Sequence, residues 1–134
     1  NRRLSLAWNL NRTLAKINYR LHTDAIQAHL IPAEVTPKQA SITYANEADL
    51  LNVALFGQTA REWRDANPDK EGNMRDHATL EQLLVLANIE NMNAEFIHME
   101  LPQGERLKRL NAIAIRQMRT LTARTVKQLE GGSP

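Results

Sequence analysis

At three places where a predicted helix begins, the chain has the form Thr-x-x-Glu or Thr-x-x-Gln, which is the sequence signature of an α-helix N-terminus. These segments begin at Thr36, Thr59 and Thr79. In such a segment the threonine hydroxyl accepts a hydrogen bond from the backbone N–H three residues later, and the Glu or Gln side chain bonds back to the threonine N–H. Pro37 suits the first helical position, which needs no N–H. The chain is therefore predicted to be built from helices, with three of their starts marked directly.

The N-terminal segment carries apolar residues at intervals of three and four, which predicts a long amphipathic helix. They are Leu4, Ala7, Leu10, Leu14, Ile17, Leu21, Ala25 and Ala28. We expect about seven turns, ending before Pro32 because the residue that precedes a proline is driven out of the α region. From Ala7 to Leu21 the spacing is that of a heptad repeat. Over so short a stretch this favours packing inside the domain over a coiled coil between chains.

The middle of the chain is predicted to hold three shorter helices. One runs from Thr36 to about Tyr44, and the next begins with Asn46 as its N-cap and ends at Gly57 in a left-handed conformation. The second of these is apolar almost all round, so we expect it at the centre of the fold. A third helix of about two turns follows Thr59. We expect this junction to act as a structural hub formed by Asn46, Leu51, Leu55, Gly57, Thr59, Trp63, Gly72 and Thr79.

Two further long helices are predicted after Thr79. The first runs to about Glu100 and is apolar on two faces in its first half, which is typical of a helix enclosed by neighbours. The break at residues 101–104 is short, so the last helix, ending near Leu129, should return antiparallel to it. The predicted fold is an all-α, compact bundle of about five to six helices, three of them long. It forms one domain of residues 1–130 with a flexible end at 131–134.

Charge is distributed unevenly along the chain. Residues 1–30 carry a net +4, residues 31–101 a net −7 and residues 102–134 a net +5, which together give the formal charge of +2. The basic ends could pair with the acidic middle, which is the favoured interpretation, or could face the phosphates of a nucleic acid. The candidate nucleic-acid contacts are Arg12, Lys16, Arg20, Arg106, Arg109, Arg116, Arg124 and Lys127.

The sequence shows no catalytic or metal-binding pattern. With no cysteine, a disulfide framework and a thiolate metal site are excluded, and the four histidines lack the close spacing of zinc ligands. We expect these histidines at the surface or in caps, and we expect no metal and no cofactor. An unrecognised enzyme would need a polar pocket, for which the candidate residues are Asp49, Asn52, Arg75, Asp76 and His77. No apolar run is long enough to cross a bilayer, and the composition is compatible with a reducing cytoplasm.

The hub has the layout of a helix-turn-helix, with a tight turn at Gly57 and a short second helix that carries Arg61 and Arg64. These two cations are offset by Glu62 and Asp65, in a segment whose acidity would repel phosphate. The pattern therefore favours a structural role for the junction over the reading of DNA.

Several runs of the sequence resemble the C-terminal region of bacterial and phage-derived KilA-N domain proteins. These runs span residues 16–25, 45–57, 59–64, 72–76 and 110–114. The resemblance implies that DNA is bound mainly by the KilA-N domain, which would precede Asn1, and it implies no catalytic residue. We therefore expect a non-enzymatic, cytoplasmic accessory domain that forms a homo-oligomer or binds a protein partner. The alternatives are direct nucleic-acid binding through the basic end helices and, less favoured, an enzyme.

Overall fold

The computed structural model describes the backbone of residues 2–131, and their side chains apart from residues 3, 4, 7, 8, 11 and 124–131. This part of the chain is all-helical and contains no strand. The elements are α1 (Arg2–Leu30), α2 (Pro37–Phe56), α3 (Ala60–Ala66), a short 3-10 helix (Met74–His77), α4 (Leu80–His98) and α5 (Gln103–Gly131). The predicted fold class is confirmed, with four long helices in place of three.

All three predicted capping boxes are present. At Thr79 the hydroxyl accepts the N–H of Gln82 at 3.1 Å, and the Gln82 side chain accepts the N–H of Thr79 at 2.8 Å. Thr36 and Thr59 make the same reciprocal pair with the residue three positions later. Asn73 and Asp76 form a fourth box at the 3-10 helix.

The predicted break between Tyr44 and Asn46 is wrong, because α2 runs without interruption from Pro37 to Phe56. Asn46 lies inside this helix with an exposed side chain, so it is not an N-cap. Neither glycine nor proline separates the two predicted segments, and continuing a helix adds one hydrogen bond per residue whereas starting a new one is unfavourable. The predicted end is confirmed, since Gly57 adopts φ 76° and donates its N–H to the carbonyl of Val53.

The main core lies between α2, α4 and α5, where Leu51, Val85, Ile89 and Leu110 are fully buried. Helix α5 returns antiparallel to α4, as predicted. The amide of Asn88 donates to Gln117 at 3.0 Å, and closer to the loop Arg106 donates to Asn93 at 2.9 Å. Leu55 packs at the edge of the same core.

Helix α1 packs parallel to α4. Hydrogen-bonded residues on the two helices are separated by 69 to 73 positions at every level, from Asn18 with Asn91 to His29 with His98. A small second core of Ala25, Ile26, Ala94 and Ile97 lies between them. The prediction that the heptad stripe packs inside the domain is wrong, because its residues Leu10, Leu14, Ile17 and Leu21 are exposed. The face that α1 buries instead carries His22, which accepts from the Asn93 amide, and Ala25 and Ile26, which pack on apolar residues of α4.

Trp63 anchors α3, as predicted, and is buried. The neighbouring Arg64 lies over the Trp63 ring, 4.8 Å from its centroid, and donates to the carbonyls of Asn67, Lys70 and Gly72. One guanidinium therefore closes the loop between α3 and the 3-10 helix. Gly72, one of the predicted hub residues, has a positive φ of 78° in this loop.

The first half of α4 is less enclosed than predicted. Leu80, Leu83 and Leu84 are exposed, whereas Val85, Leu86 and Ile89 are buried. The apolar side chains of α4 are therefore covered by neighbouring helices only from about its second turn onward. The predicted flexible end at 131–134 falls on the last residue of α5 and on residues 132–134, which lie outside the described part of the chain.

Across the described residues, no helix combines the length and the apolar character that crossing a membrane requires.

Candidate functional site

A buried polar network joins α1, α2, α4 and α5 near the middle of the bundle. Its centre is Asn93, whose amide nitrogen donates to His22 Nε2 at 2.8 Å and to Glu47 Oε1 at 3.1 Å. The amide oxygen accepts from Arg106 Nη1 at 2.9 Å. Arg106 also forms an ion pair with Glu47 and donates from Nε to the carbonyl of Leu101 at 3.0 Å. Each helix of the bundle core thus contributes to one cluster of hydrogen bonds.

The network is fully satisfied. Glu47 and Arg106 are each only 2% exposed, and the second Glu47 oxygen accepts from Arg106 Nη2 at 3.2 Å and from Gln103 at 3.1 Å. Among the described residues, every buried side-chain nitrogen or oxygen has a hydrogen-bond partner. Because an unsatisfied buried polar group costs about 1–3 kcal/mol, this arrangement specifies the mutual register of the helices.

Burial and charge shift the pKa values in this network in opposite directions. Burial lowers the pKa of His22 to about 4, with the nearby charge of Glu47 opposing the shift. Burial alone would raise the pKa of Glu47, but hydrogen bonds from Arg106 and Asn93 outweigh it and hold that pKa below its usual value. His22 is therefore neutral at pH 7. Since its Nε2 accepts from Asn93, its proton is on Nδ1, 3.9 Å from the Glu90 carboxylate.

The structure places the eight predicted nucleic-acid contacts in different environments. The prediction for Arg106 is wrong, because its guanidinium is buried and paired with Glu47. Arg109 is exposed but lies 3.0 Å from Glu105 and over the ring of Phe96. Arg116, Arg12, Lys16 and Arg20 are exposed, whereas the side chains of Arg124 and Lys127 lie outside the described residues. The Arg106–Glu47 pair is of the kind that the favoured interpretation predicted, a basic end segment paired with the acidic middle.

The five residues proposed for a polar pocket make structural contacts instead. Asp76 caps the 3-10 helix through the N–H of Asn73 at 2.8 Å, and His77 stacks on Trp63 with 5.3 Å between ring centroids. Asp49, Asn52 and Arg75 form a chain of hydrogen bonds, in which Asp49 also accepts the N–H of Ala60 at 2.9 Å. Among the described residues no cluster of three or more acidic or histidine side chains could hold a metal ion.

A cleft of about 470 Å³ opens at the loop between α4 and α5. Glu47 and Arg106 lie at its base and neutralise each other, and His29 lies at its rim. The His29 ring nitrogen Nε2 is 2.9 Å from Nδ1 of His98, so these two imidazoles are hydrogen-bonded to each other. Glu47, Arg106 and His29 are thus engaged with protein partners, and Glu100 is the other charged residue that lines the cleft.

The described residues also form an exposed apolar face on α1 and α4. We call it the apolar face and define it by eight side chains on two neighbouring helices, each between 41% and 66% exposed: Leu6, Leu10, Leu14, Ile17 and Leu21 of α1 and Leu80, Leu83 and Leu84 of α4. Single exposed leucines are ordinary, whereas a group of this size on two neighbouring helices is a candidate interaction surface.

Sequence reasoning missed the buried network. His22 was expected at the surface, yet it is 4% exposed, and Asn93 and Glu47 were not singled out. A usable signal was present for Asn93, which lies among Ile89, Ala94 and Ile97 on the apolar side of α4. A polar residue at such a position is expected to have buried partners.

Comparison of this chain with models of known protein families, with curated proteins and with solved structures finds no match.

Proposed function

We propose that this chain is a non-enzymatic helical module that mediates protein association through its apolar face, as an accessory domain of a KilA-N-type DNA-binding protein in the cytoplasm. The observation that carries the proposal is the exposure of the heptad stripe on α1 together with three leucines of α4. A heptad stripe is the pattern that packs against another helix, and within the described part of the chain no helix covers it. The sequence resemblance supports the accessory role, with DNA contacted mainly by the KilA-N domain.

The energetic argument rests on burial. Fully covering a Leu or Ile side chain contributes about 1.5–3 kcal/mol, and eight side chains about half exposed could contribute on the order of 6–12 kcal/mol per copy before the cost of association. Positions a and d of the stripe from Leu10 to Leu21 carry no charged residue, and Arg20 lies at the flanking g position, in line with Leu6. Arg12 and Lys16 occupy outward positions of the same heptads, so a partner helix would not have to bury them.

Stability measurements test the proposal without knowledge of the partner. Leu14→Gln combined with Ile17→Gln should leave the free energy of unfolding within about 1 kcal/mol of wild type, since exposed side chains add little to the fold. The matched core variant Leu110→Ala should lose about 2–5 kcal/mol. Both are measured by urea unfolding at protein concentrations where stability no longer depends on concentration. A loss of 2 kcal/mol or more in the double variant would show that the stripe belongs to the chain's own core, and the proposal would fail.

A second candidate function, direct binding of nucleic acid, is favoured by one observation. Arg12, Lys16 and Arg20 are exposed and follow one another at four-residue intervals along α1. Phosphate contact predicts an affinity for duplex DNA that declines steeply with salt. Replacing Lys16 and Arg20 by Gln should weaken binding and reduce the salt dependence, whereas Arg109→Gln, at a residue paired with Glu105, should have less effect. Binding that is unchanged in the Lys16 and Arg20 variant would exclude this function.

A further inference from the structure

The two parts of the apolar face overlap in level along the bundle. Since α1 and α4 run parallel with bonded residues 69 to 73 positions apart, residues 80–84 of α4 lie level with about residues 7–15 of α1. Leu80, Leu83 and Leu84 are thus level with Leu10 and Leu14 on the adjacent helix, whereas Ile17 and Leu21 lie level with later residues of α4. A partner that covers all eight side chains must contact both helices.

The heptad positions on α1 indicate the kind of core that this surface would enter. The spacing fixes Leu14 and Leu21 at position a and Leu10 and Ile17 at position d. Position a is leucine in both heptads, and position d is leucine at residue 10 and isoleucine at residue 17. The combination of leucine at a with isoleucine at d, present in the second heptad, favours cores of three or four helices over a two-stranded coiled coil. One chain supplies two parallel helices to this face, so two chains would supply four.

The exposed area is compatible with a self-association interface. The eight side chains amount to about four fully exposed ones, or roughly 250–500 Å² of apolar area. Interfaces are about 65% apolar at their most hydrophobic, which corresponds to roughly 400–750 Å² per copy in total. This range approaches the roughly 800 Å² per partner of a standard stable interface.

We propose that a second copy of this chain covers the apolar face, so that α1 and the first turns of α4 from two copies form a four-helix core with twofold symmetry. The inference rests on the proposed function, from which it goes further by naming the partner and the geometry. Twofold symmetry follows because the same surface is used by both copies, which makes the interface self-complementary.

Light scattering on a dilution series of the wild-type chain is the primary test. The expected result is a mass of twice 15.2 kDa that falls to 15.2 kDa on dilution. A monomer at every concentration, or a trimer or larger species, overturns the inference. The stability test of the proposed function does not depend on self-association. If the chain is monomeric and the Leu14 and Ile17 double variant is as stable as wild type, the function left is association with a different protein.

Substitutions on α4 test the four-helix geometry. Leu84→Glu should raise the dissociation constant at least 100-fold, as should Leu14→Glu on α1. Ile115→Glu, at a residue of α5 that is 49% exposed and outside the apolar face, should leave it unchanged. Circular dichroism confirms that each variant is folded. A dimer disrupted by Leu14→Glu but not by Leu84→Glu would be a coiled coil of α1 alone, and the proposed four-helix core would be wrong.

Discussion

The ion pair between Glu47 and Arg106 allows a quantitative test of how this bundle is stabilised. Arg106→Met keeps a side chain of similar reach but leaves the Glu47 carboxylate, 2% exposed, with only the amides of Asn93 and Gln103 as partners. Breaking a buried pair by removing one partner costs about 3–5 kcal/mol. Since domains unfold at about 5–15 kcal/mol, this variant should lose a large part of its total stability.

Removing both charges should be much less harmful than removing one. In the double variant Glu47→Leu and Arg106→Met no charge stays buried, and the main remaining cost is the Asn93 amide, which loses two of its three partners. That cost is about 1–3 kcal/mol, and the added apolar contacts offset part of it. We therefore expect the double variant to be more stable than Arg106→Met by about 2 kcal/mol, which corresponds to a strong coupling between the two positions.

Urea unfolding followed by far-UV circular dichroism measures these differences, read as shifts of the midpoint at constant slope. The matched control is Arg109→Met, three residues further along α5, whose pair with Glu105 is 46% and 43% exposed. It should change stability by less than about 1 kcal/mol, as is usual for surface pairs. The reasoning is refuted if Arg106→Met is as mild as Arg109→Met, or if the effects at positions 47 and 106 simply add.

Three further predictions concern pH, glycine conformation and capping. Burial lowers the pKa of folded His22 to about 4, below its unfolded value of 6.5, so between these pH values only the unfolded state takes up this proton. The free energy of unfolding should therefore fall by up to about 3 kcal/mol from pH 7 to pH 4. In a plot of urea midpoint against pH, His22→Gln should flatten this part of the curve. The pKa of Glu90, raised mainly by burial, gives a smaller trend of opposite sign. Gly57→Ala should lower stability by about 1–2 kcal/mol, because residue 57 has a positive φ. Gly72→Ala should lower it more, because the added Cβ would also collide with the Asp76 carboxylate. Equal decreases in the thermal unfolding temperature of the two variants would contradict this. Thr79→Ala should cost about 1 kcal/mol in the same assay, and Thr79→Ser clearly less.

Local features of the fold could be read from the sequence because their causes are local. Each capping box places donor and acceptor within three residues. The end of α2 at Gly57 and the turn at Gly72 depend on backbone conformations that glycine adopts freely. The α4–α5 hairpin follows from the short break at residues 101–104. The wrongly predicted helix start at Asn46 shows the limit of this reasoning. Asn is favourable at an N-cap, but it does not end a helix that is already formed on its N-terminal side.

The buried network and the apolar face could not be predicted in the same way, because each depends on which face of α1 meets α4. The stripe from Leu10 to Leu21 was the natural candidate for burial on hydrophobicity alone. The neighbouring face of α1 is buried instead, since His22 finds a donor in Asn93 and Ala25 allows close approach. These pairings join residues about 70 positions apart, and no pattern within one helix indicates them.

The parallel packing of α1 on α4 also has a consequence for the order in which the chain folds. Helices α4 and α5 are joined by a short loop, so their contacts close small loops, whereas α1 can dock only after a loop of about 70 residues has closed. Its attachment relies on a core of four buried residues and a few hydrogen bonds. We therefore expect α1 to dock last during folding and to be the long helix that detaches most readily. Hydrogen exchange at its backbone amides should then show a lower opening free energy than exchange at the centre of α4. A second copy bound to the apolar face would slow that exchange.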